Sequence, residues 1–379
     1  VKFFLADKNY GFLLNPAGGK DILIHRNGVI DGTVPQKGAV YWFDLGEDRQ
    51  QRPCAVNASL KVGATNAQIP AVDHDTKELF DWAFIPLFSR DTTSKAISDL
   101  ASLALPEDWR YRESATEEFD DFGILRNYIK FTFTRLRHEG KVKVTERFAT
   151  FNTGLVDKFY EPIYALFEKN DRPSPPWKWR SFCVNGQGED GKLLTRTFES
   201  LPEAANYFSG VDDLFFNASA PFEEDIDHIV LDGIKRDRYP HNFLDQYAGG
   251  FSIHEYQSDR EAYLSSISER LVRDDAMYRK LRNRLKDAIL LARKRAGWNY
   301  RAVVPQYYPK HNMMSFLLPI SLLDDTKVDA ALVVQSMRVD GKLRYQGYTI
   351  YPLAYAYRNA RLVAKPISDW LDPDRILGA

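Results

Sequence analysis

The sequence predicts an α+β protein of more than one domain. A small closed barrel of five short strands is followed by a large α+β domain with a mainly antiparallel sheet. Three observations predict this. Residues 1–60 break into short apolar runs separated by turns. Residues 61–78 are polar and contain Gly63, Asn66 and Pro70, as a linker would. Beyond them helical and strand patterns alternate over some three hundred residues without an internal repeat. The expected division is 1–62 for the barrel, 63–78 for the linker and 79–379 for the α+β domain.

Bulk composition excludes several classes. With 44% hydrophobic and 27% charged residues, the chain is neither disordered nor collagen-like. Lys plus Arg is 51 and Asp plus Glu is 52, a net charge of −1, so total charge gives no reason to expect a polyanion partner. Cys54 and Cys183 are too few for a disulfide framework or a multi-cysteine zinc site, and are expected to be reduced, buried thiols of a cytoplasmic protein. The longest apolar run, Phe316 to Leu323, is eight residues and holds a proline, far below the roughly 20 needed to span a bilayer. The chain opens on Val1, which points to a few native residues before it, and cysteine usage argues against export.

The N-terminal strands are expected at Val1–Leu5, Tyr10–Leu14, Asp21–His25, Val40–Leu45 and Cys54–Leu60, with a turn at Asn15–Gly19. Closing five such strands hides the sheet edges. Tyr10 and Phe12 are two apart on one strand, so their rings share a face and Gly11 lies on the other. Phe3 and His25, on neighbouring strands, can join that face, with Lys2, Lys8, Lys20 and Arg26 within reach of phosphates. Unpaired bases stack on such a platform at roughly 1–3 kcal/mol each, with little sequence preference.

Lys2-Phe3-Phe4, Lys8-Asn9-Tyr10-Gly11-Phe12-Leu13, Asp21-Ile22-Leu23-Ile24-His25 and the closing Ala55-Val56-Asn57 resemble, in order and spacing, a cold-shock domain. That family carries Lys-Trp-Phe, then Lys-Gly-Phe-Gly-Phe-Ile and Val-Phe-Val-His. The resemblance covers residues 1–60. It implies an OB-type barrel that binds single-stranded RNA or DNA. This chain departs from the pattern where Phe3 replaces the tryptophan, Leu23 a phenylalanine and Arg26 an aromatic. One stacking ring is lost and one becomes a guanidinium, which can itself stack. The segment's charge is about +1, seven basic against six acidic residues, so weaker and more salt-sensitive binding is expected. The alternative is an aromatic face packed on the second domain.

In the long remainder, helices are expected at Thr93–Leu105 and Glu117–His138, the latter with Phe122, Leu125, Ile129, Phe133 and Leu136 on one stripe. Strands follow at Val142–Phe151 and Pro162–Glu168, flanking a turn at Asn152-Thr153-Gly154 where Gly154 can take positive φ. Ser181–Val184 and Leu193–Phe198 read as a hairpin, and Leu201–Phe208 and Glu223–Lys235 as helices. Asp259–Trp298 reads as two helices meeting near Asp274-Asp275. Strands are expected at Arg301–Tyr308, Met313–Ile320, Ala330–Val339 and Arg344–Ile350, the last two joined at Asp340-Gly341. Pro352 then opens a helix. Asn152-Thr153-Gly154-Leu155, Pro305-Gln306-Tyr307-Tyr308, Leu317-Leu318-Pro319, Tyr357-Arg358-Asn359-Ala360-Arg361-Leu362 and Trp370-Leu371 are similar to a bacterial family of unknown function found fused to RNA-binding modules. That similarity implies company and no particular chemistry.

Gly186-Gln187-Gly188-Glu189-Asp190-Gly191-Lys192 fits G-x-G-x-x-G and most of a P-loop. Leu193 stands where a P-loop needs Ser or Thr, Glu189 and Asp190 repel phosphate, and the following residues read as strand, so a hairpin turn is expected instead. Asp/Glu-x-Lys, a metal-nuclease pattern, occurs five times, and the copy at Asp325-Thr326-Lys327 is the best placed. No His-Glu-x-x-His and no Gly-x-Ser-x-Gly occurs. No cofactor is evident, although a divalent metal would suit the nuclease pattern.

Two further groups carry possible function. From Arg279 to Arg295 there are eight basic residues and one acid, a net of +7, with Arg279, Arg282, Lys286 and Arg293 on one helical face. Such a face suits phosphates, unless it is a solvated face opposite the acidic stretch Glu107–Asp121. Asn152, Gly154, Arg301, Gln306, Tyr307, Lys310, His311, Asn359 and Arg361, with Arg358, are candidates to line a phosphate or nucleotide pocket. Ordinary surface polarity and buried hydrogen bonding are the preferred alternative. The expected protein is thus a cytoplasmic binder of single-stranded RNA or DNA, without a membrane partner. Its barrel presents RNA to a large domain that processes RNA or nucleotides. The alternatives are a non-catalytic regulator and a protein-interaction module.

Overall fold

A computed structural model describes residues 1–5, 10–14, 21–26, 29, 35, 41–47, 53–60, 78–87, 95–112, 118–172, 174–248, 255, 258–309, 312–339, 341–372 and 376. The fold is α+β with three sheets of five strands each among these residues. The chain divides into two compact units, one of Val1–Pro70 with Met337–Lys342 and the other of Ala71–Ser336 with Leu343–Ala379.

In the first unit, β1 (Phe3–Leu5), β2 (Tyr10–Leu13), β3 (Ile22–His25), β4 (Tyr41–Glu47) and β5 (Pro53–Leu60) fall where the sequence predicts strands. Their order is β1-β2-β3-β5-β4, antiparallel except for the parallel pair β3–β5. The expected closed barrel is not what the described pairings give. Among the described residues no pairing joins β1 to β4, and the sheet is open there. Period-two alternation sends Ile22 and Ile24 of β3 to one side, where Leu13, Ala55 and Ala58 complete a small core with Phe4 and Val29 packed against it. Ala58 follows Ala55 by three residues and reaches the same side because the β4–β5 register shifts between Trp42 and Asp44.

The second unit begins with α1 (Glu78–Trp82), β6 (Ala83–Phe84), α2 (Lys95–Leu103) and α3 (Gly123–His138). α3 is buried around almost its whole circumference, polar Asn127, Thr132 and Thr134 included. It starts later than the predicted Glu117. Asp120 pairs backbone to backbone with Tyr111, and its carboxylate accepts from the Phe122 N–H at 3.1 Å, which stops the helix extending backwards. β7 (Lys143–Val144), β8 (Phe148–Val156), β9 (Pro162–Lys169) and β10 (Trp177–Val184) complete a sheet ordered β6-β10-β9-β8-β7. Trp82, Phe133, Phe151 and Phe167 stack within this part at ring-centroid distances of 4.9–5.6 Å. Phe133, Phe151 and Phe167 are fully buried, and each contributes about 1.5–3 kcal/mol.

The expected turn at Asn152-Thr153-Gly154 lies inside β8. The register shifts between Asn152 and Val156, and Gly154 has the positive φ of 74°. The expected hairpin at 181–198 is also corrected, because the chain after β10 forms α4 (Gly188–Thr197). Buried Gly191, Leu194 and Phe198 recur at helical spacing, and Gly191 packs directly on the Val184 carbonyl, where no side chain fits. Residues 201–208, predicted helical, are irregular: Asn152, Lys141 and Arg135 take the carbonyls of Pro202, Ala204 and Asn206. Cys54 and Cys183 are free and buried. Burial, and then the charge of Asp190, push the Cys183 thiol up to about 12. Cys183 is therefore expected to stay protonated and to resist alkylation at mildly alkaline pH until the chain unfolds. Peptide mass spectrometry of the labelled native protein checks this, and rapid native labelling would contradict it.

β11 (Phe222–Glu224), α5 (Ile226–Lys235), α6 (His241–Ala248), α7 (Arg260–Arg273) and α8 (Asp275–Trp298) follow. The predicted helix at 223–235 thus begins with a short strand. The predicted break between the two long helices is real: the Asp274 carboxylate accepts from the N–H groups of Ala276 and Met277 and caps α8. Leu281, Leu285, Ile289 and Ala292 are its buried stripe, as expected. β12 (Val304–Tyr308), β13 (Met313–Ile320), β14 (Ala330–Val339) and β15 (Lys342–Pro352) form the third sheet, ordered β11-β15-β14-β13-β12. α9 (Leu353–Ala360) ends the series and packs on β12 and α3. The second unit thus has two sheets where one was expected, each mainly antiparallel with one parallel edge strand, β6 or β11.

Candidate nucleic-acid interface

On the outer face of the N-terminal sheet, Phe3 sits opposite Phe12 and Tyr10 opposite His25. The Phe3 and Phe12 rings are 5.6 Å apart, and Tyr10 stands edge-on to Phe12 at 6.4 Å. Phe3 is 39% exposed and His25 and Arg26 are exposed. Leu23, opposite Phe12, stands where a phenylalanine would have added a further ring. Lys2 is tied to Asp21 at 2.7 Å. Lys8 and Lys20 lie outside the described residues. The sequence-predicted aromatic residues therefore share one accessible face.

The basic helix is only partly free. Arg282 pairs with Asp227 at 2.8 Å, and Arg293 lies 5.0 Å over the Phe222 ring. Arg284 binds Asp325 at 2.9 Å, and Arg295 binds the Ser321 hydroxyl at 2.8 Å. Arg279 and Lys286 are exposed. Of the acids expected to face this helix, three pair elsewhere: Glu107 with Arg361, Asp108 with Arg110 and Asp120 with Arg126.

Most of the expected pocket residues meet in the interior, where α3, β12 and α9 pack. The Arg361 Nε–H donates to both Glu107 oxygens at 2.7 and 2.9 Å, and the Tyr357 hydroxyl donates to Glu107 at 3.0 Å. The Arg361 guanidinium sits 4.7 Å over Tyr128 and 5.1 Å over Trp109. Arg358 lies 4.2 Å over Tyr111. Gly154 packs under the Tyr128 hydroxyl, while Asn152 accepts from the Gly154 N–H at 2.9 Å. Tyr307 donates to Asn312 at 2.8 Å and stacks 4.9 Å from Tyr207. Burial pushes the Tyr128, Tyr207 and Tyr357 phenols up, so they stay neutral. Gln306 donates to Ser315 at 3.1 Å, yet its Oε1 and both polar atoms of Asn359 have no partner among the described residues.

Among the described residues Gln306, Tyr307, Asn359 and Arg361 are buried, and Glu107 has already neutralised the arginine. Arg301 stays exposed outside this polar core, and Lys310 and His311 lie outside the described residues. The sequence reading missed Glu107, Tyr128 and Tyr357 as members of this core.

A family model described as "Domain of unknown function (DUF3825)" matches residues 100–370. The chain belongs to the DUF3825 family. The match spans the polar core and α8 and leaves the N-terminal sheet outside it. The chain is also similar to the cold shock-like protein CspA of Rickettsia bellii (strain RML369-C). That similarity is 38% identity over 63 residues, which are 16% of this chain and 89% of that protein. No solved structure matches the chain.

The second unit has an open cleft of about 750 Å³, walled by Tyr239, Leu323, Leu353 and Trp370. Trp370 is fixed by its indole N–H, which donates to the Ala302 carbonyl at 2.7 Å. Asp329 accepts from Leu322 and Leu323 N–H groups, and burial raises its carboxyl above the usual range. Asp324, Thr326 and Lys327, from the nuclease-like pattern, stand at the rim, but Asp325 of that pattern is held by Arg284. Among the described residues, no three His, Cys, Asp or Glu side chains gather as they would to hold a metal ion. Among them, too, no helix is long and apolar enough to cross a membrane.

Proposed function

We propose that the DUF3825 chain binds single-stranded RNA or DNA through the outer face of its N-terminal sheet, in the cytoplasm, with no membrane partner. The carrying observation is the shared, accessible face of Phe3, Tyr10, Phe12 and His25 across three paired strands. Bases stack on the three rings, and Arg26 at the end of β3 reaches a phosphate or stacks in turn. The order β1-β2-β3-β5-β4 with β3 and β5 parallel supports an OB-type barrel for residues 1–62, since it is that barrel's order cut between its first and fourth strands. The similarity to a cold shock-like protein supports the same reading.

Tyr10→Ala and Phe12→Ala, made singly, are each expected to weaken binding of a mixed-sequence single-stranded RNA by roughly 1–3 kcal/mol. Fluorescence anisotropy of a labelled oligonucleotide measures this, with circular dichroism to confirm that the sheet is intact. Unchanged affinity in both variants would remove the stacking face from the function.

A second reading gives the large unit, residues 79–379, a chemical role in processing RNA or nucleotides. The cleft at Trp370 and Asp329 favours it, because a cavity of that size can enclose a small molecule. Incubation with labelled RNA, nucleoside triphosphates and divalent metals should then give an altered product, reduced when Trp370→Ala opens the cleft wall. No altered product with any of these substrates would leave a binding protein without chemistry.

A further inference from the structure

Along α8, Lys286, Leu290, Lys294 and Trp298 are each four residues apart and so share one face. All four are exposed, Leu290 by 50% and Trp298 by 89%. Thirteen residues of helix, Lys286 to Trp298, carry this stripe over roughly 18 Å. Large apolar side chains left this open on a charged helix mark a surface that something covers. At the helix end the platform widens. The Tyr300 ring lies 5.7 Å from Phe215, both about half exposed, and the Arg301 guanidinium lies 5.8 Å over Tyr300. The segment carrying Phe215 runs close by, since a side chain at Gly297 would come within 3.8 Å of the Ala218 Cβ. Lys294 has no ion pair among the described residues. The acids near it are Asp227, which is paired with Arg282 and whose carboxylate also feels the Lys286 charge, Asp287 beside Lys286, and Asp212 and Asp213, the latter held by the Ser209 N–H at 2.7 Å.

Basic groups interleaved with open rings are what a single strand needs, phosphates on the former and bases on the latter. Resting on the reading of the chain as a single-strand binder, we propose that this stripe is a second site for single-stranded RNA or DNA, on the DUF3825 unit itself. Lys286, Lys294 and Arg301 meet phosphates, and Trp298 with the Phe215–Tyr300 pair receives bases. The face differs from the one expected from charge alone, because Arg282 and Arg293 already have partners. Two linked sites on one strand raise the apparent affinity beyond either alone.

The test uses the full chain and a long mixed-sequence single-stranded RNA, with and without the Tyr10→Ala/Phe12→Ala pair. Trp298→Ala is expected to weaken binding about tenfold in both backgrounds, in the range of one stacked base, while Trp298→Phe keeps most of it. Lys286→Gln with Lys294→Gln should flatten the slope of log affinity against log salt by about 1.4, at about 0.7 per phosphate contact. Residual binding in the Tyr10/Phe12 background that Trp298→Ala weakens by about a further tenfold would uphold this site. If the Tyr10/Phe12 pair changes nothing while Trp298→Ala does, the N-terminal reading fails and this one stands. If affinity and slope are unchanged by both helix variants, the proposal is overturned and a protein becomes the surface's occupant.

Discussion

Replacing Glu107 with alanine is expected to destabilise the second unit by about 3–5 kcal/mol, the cost of leaving a buried partner charge uncompensated. Glu107 and Arg361 side chains are only 6% and 9% exposed, so water cannot take over the lost contact. Two donors are orphaned at once, the Arg361 Nε–H and the Tyr357 hydroxyl. Burial works against the Arg361 charge, and Glu107 more than offsets it, so the guanidinium holds its proton firmly in the native chain. Removing the carboxylate leaves a cation between the rings of Tyr128 and Trp109, which offset only part of the desolvation. Glu107→Gln keeps the shape and one acceptor, and should cost less than alanine but clearly more than zero. Glu107→Met with Arg361→Leu removes both charges and should recover much of the loss. Urea denaturation followed by tryptophan fluorescence measures all three. A loss for Glu107→Ala under about 1 kcal/mol would put the pair among solvent-screened surface bridges.

That pair also shows where local sequence stops being informative. Glu107 and Arg361 are 254 positions apart. Read locally, Glu107 belongs to an acidic stretch and Arg361 to a polar helix, and nothing in either spacing joins them. The N-terminal face was legible because period two fixes which side chains are neighbours once the strands are found, and Tyr10 and Phe12 need only one strand. The α7–α8 break was legible because a capping aspartate acts on its own next turn. α4 was not, since Leu193–Phe198 satisfies a strand pattern and a helix pattern at once. Packing of Gly191 on Val184 decides between them. β6 and β11, two and three residues long, are below any periodicity. The Trp298 stripe was legible in spacing but not in exposure, which depends on what the rest of the chain leaves uncovered.

Gly154→Ala is the second substitution expected to be severe, at about 2–6 kcal/mol. Two independent penalties meet there. The residue holds φ at +74°, where a side chain costs of order 1–3 kcal/mol. A Cβ would also stand 2.5 Å from the Tyr128 hydroxyl, and forcing atoms into a packed interior costs about 1–3 kcal/mol. Tyr128 cannot swing aside freely, because it is buried and the Arg361 guanidinium covers its ring. The strain in β8 is thereby passed to the Glu107–Arg361 pair. The two penalties are separable. Tyr128→Phe deletes the obstructing oxygen, so Gly154→Ala in that background should keep only the backbone cost. A double-mutant cycle by urea denaturation would then show a coupling of about 1–3 kcal/mol. Zero coupling with a large single loss would assign the whole effect to φ. A neutral Gly154→Ala would mean that β8 does not bulge at Asn152–Val156, and the packing of Tyr128 under Arg361 would have to be redrawn.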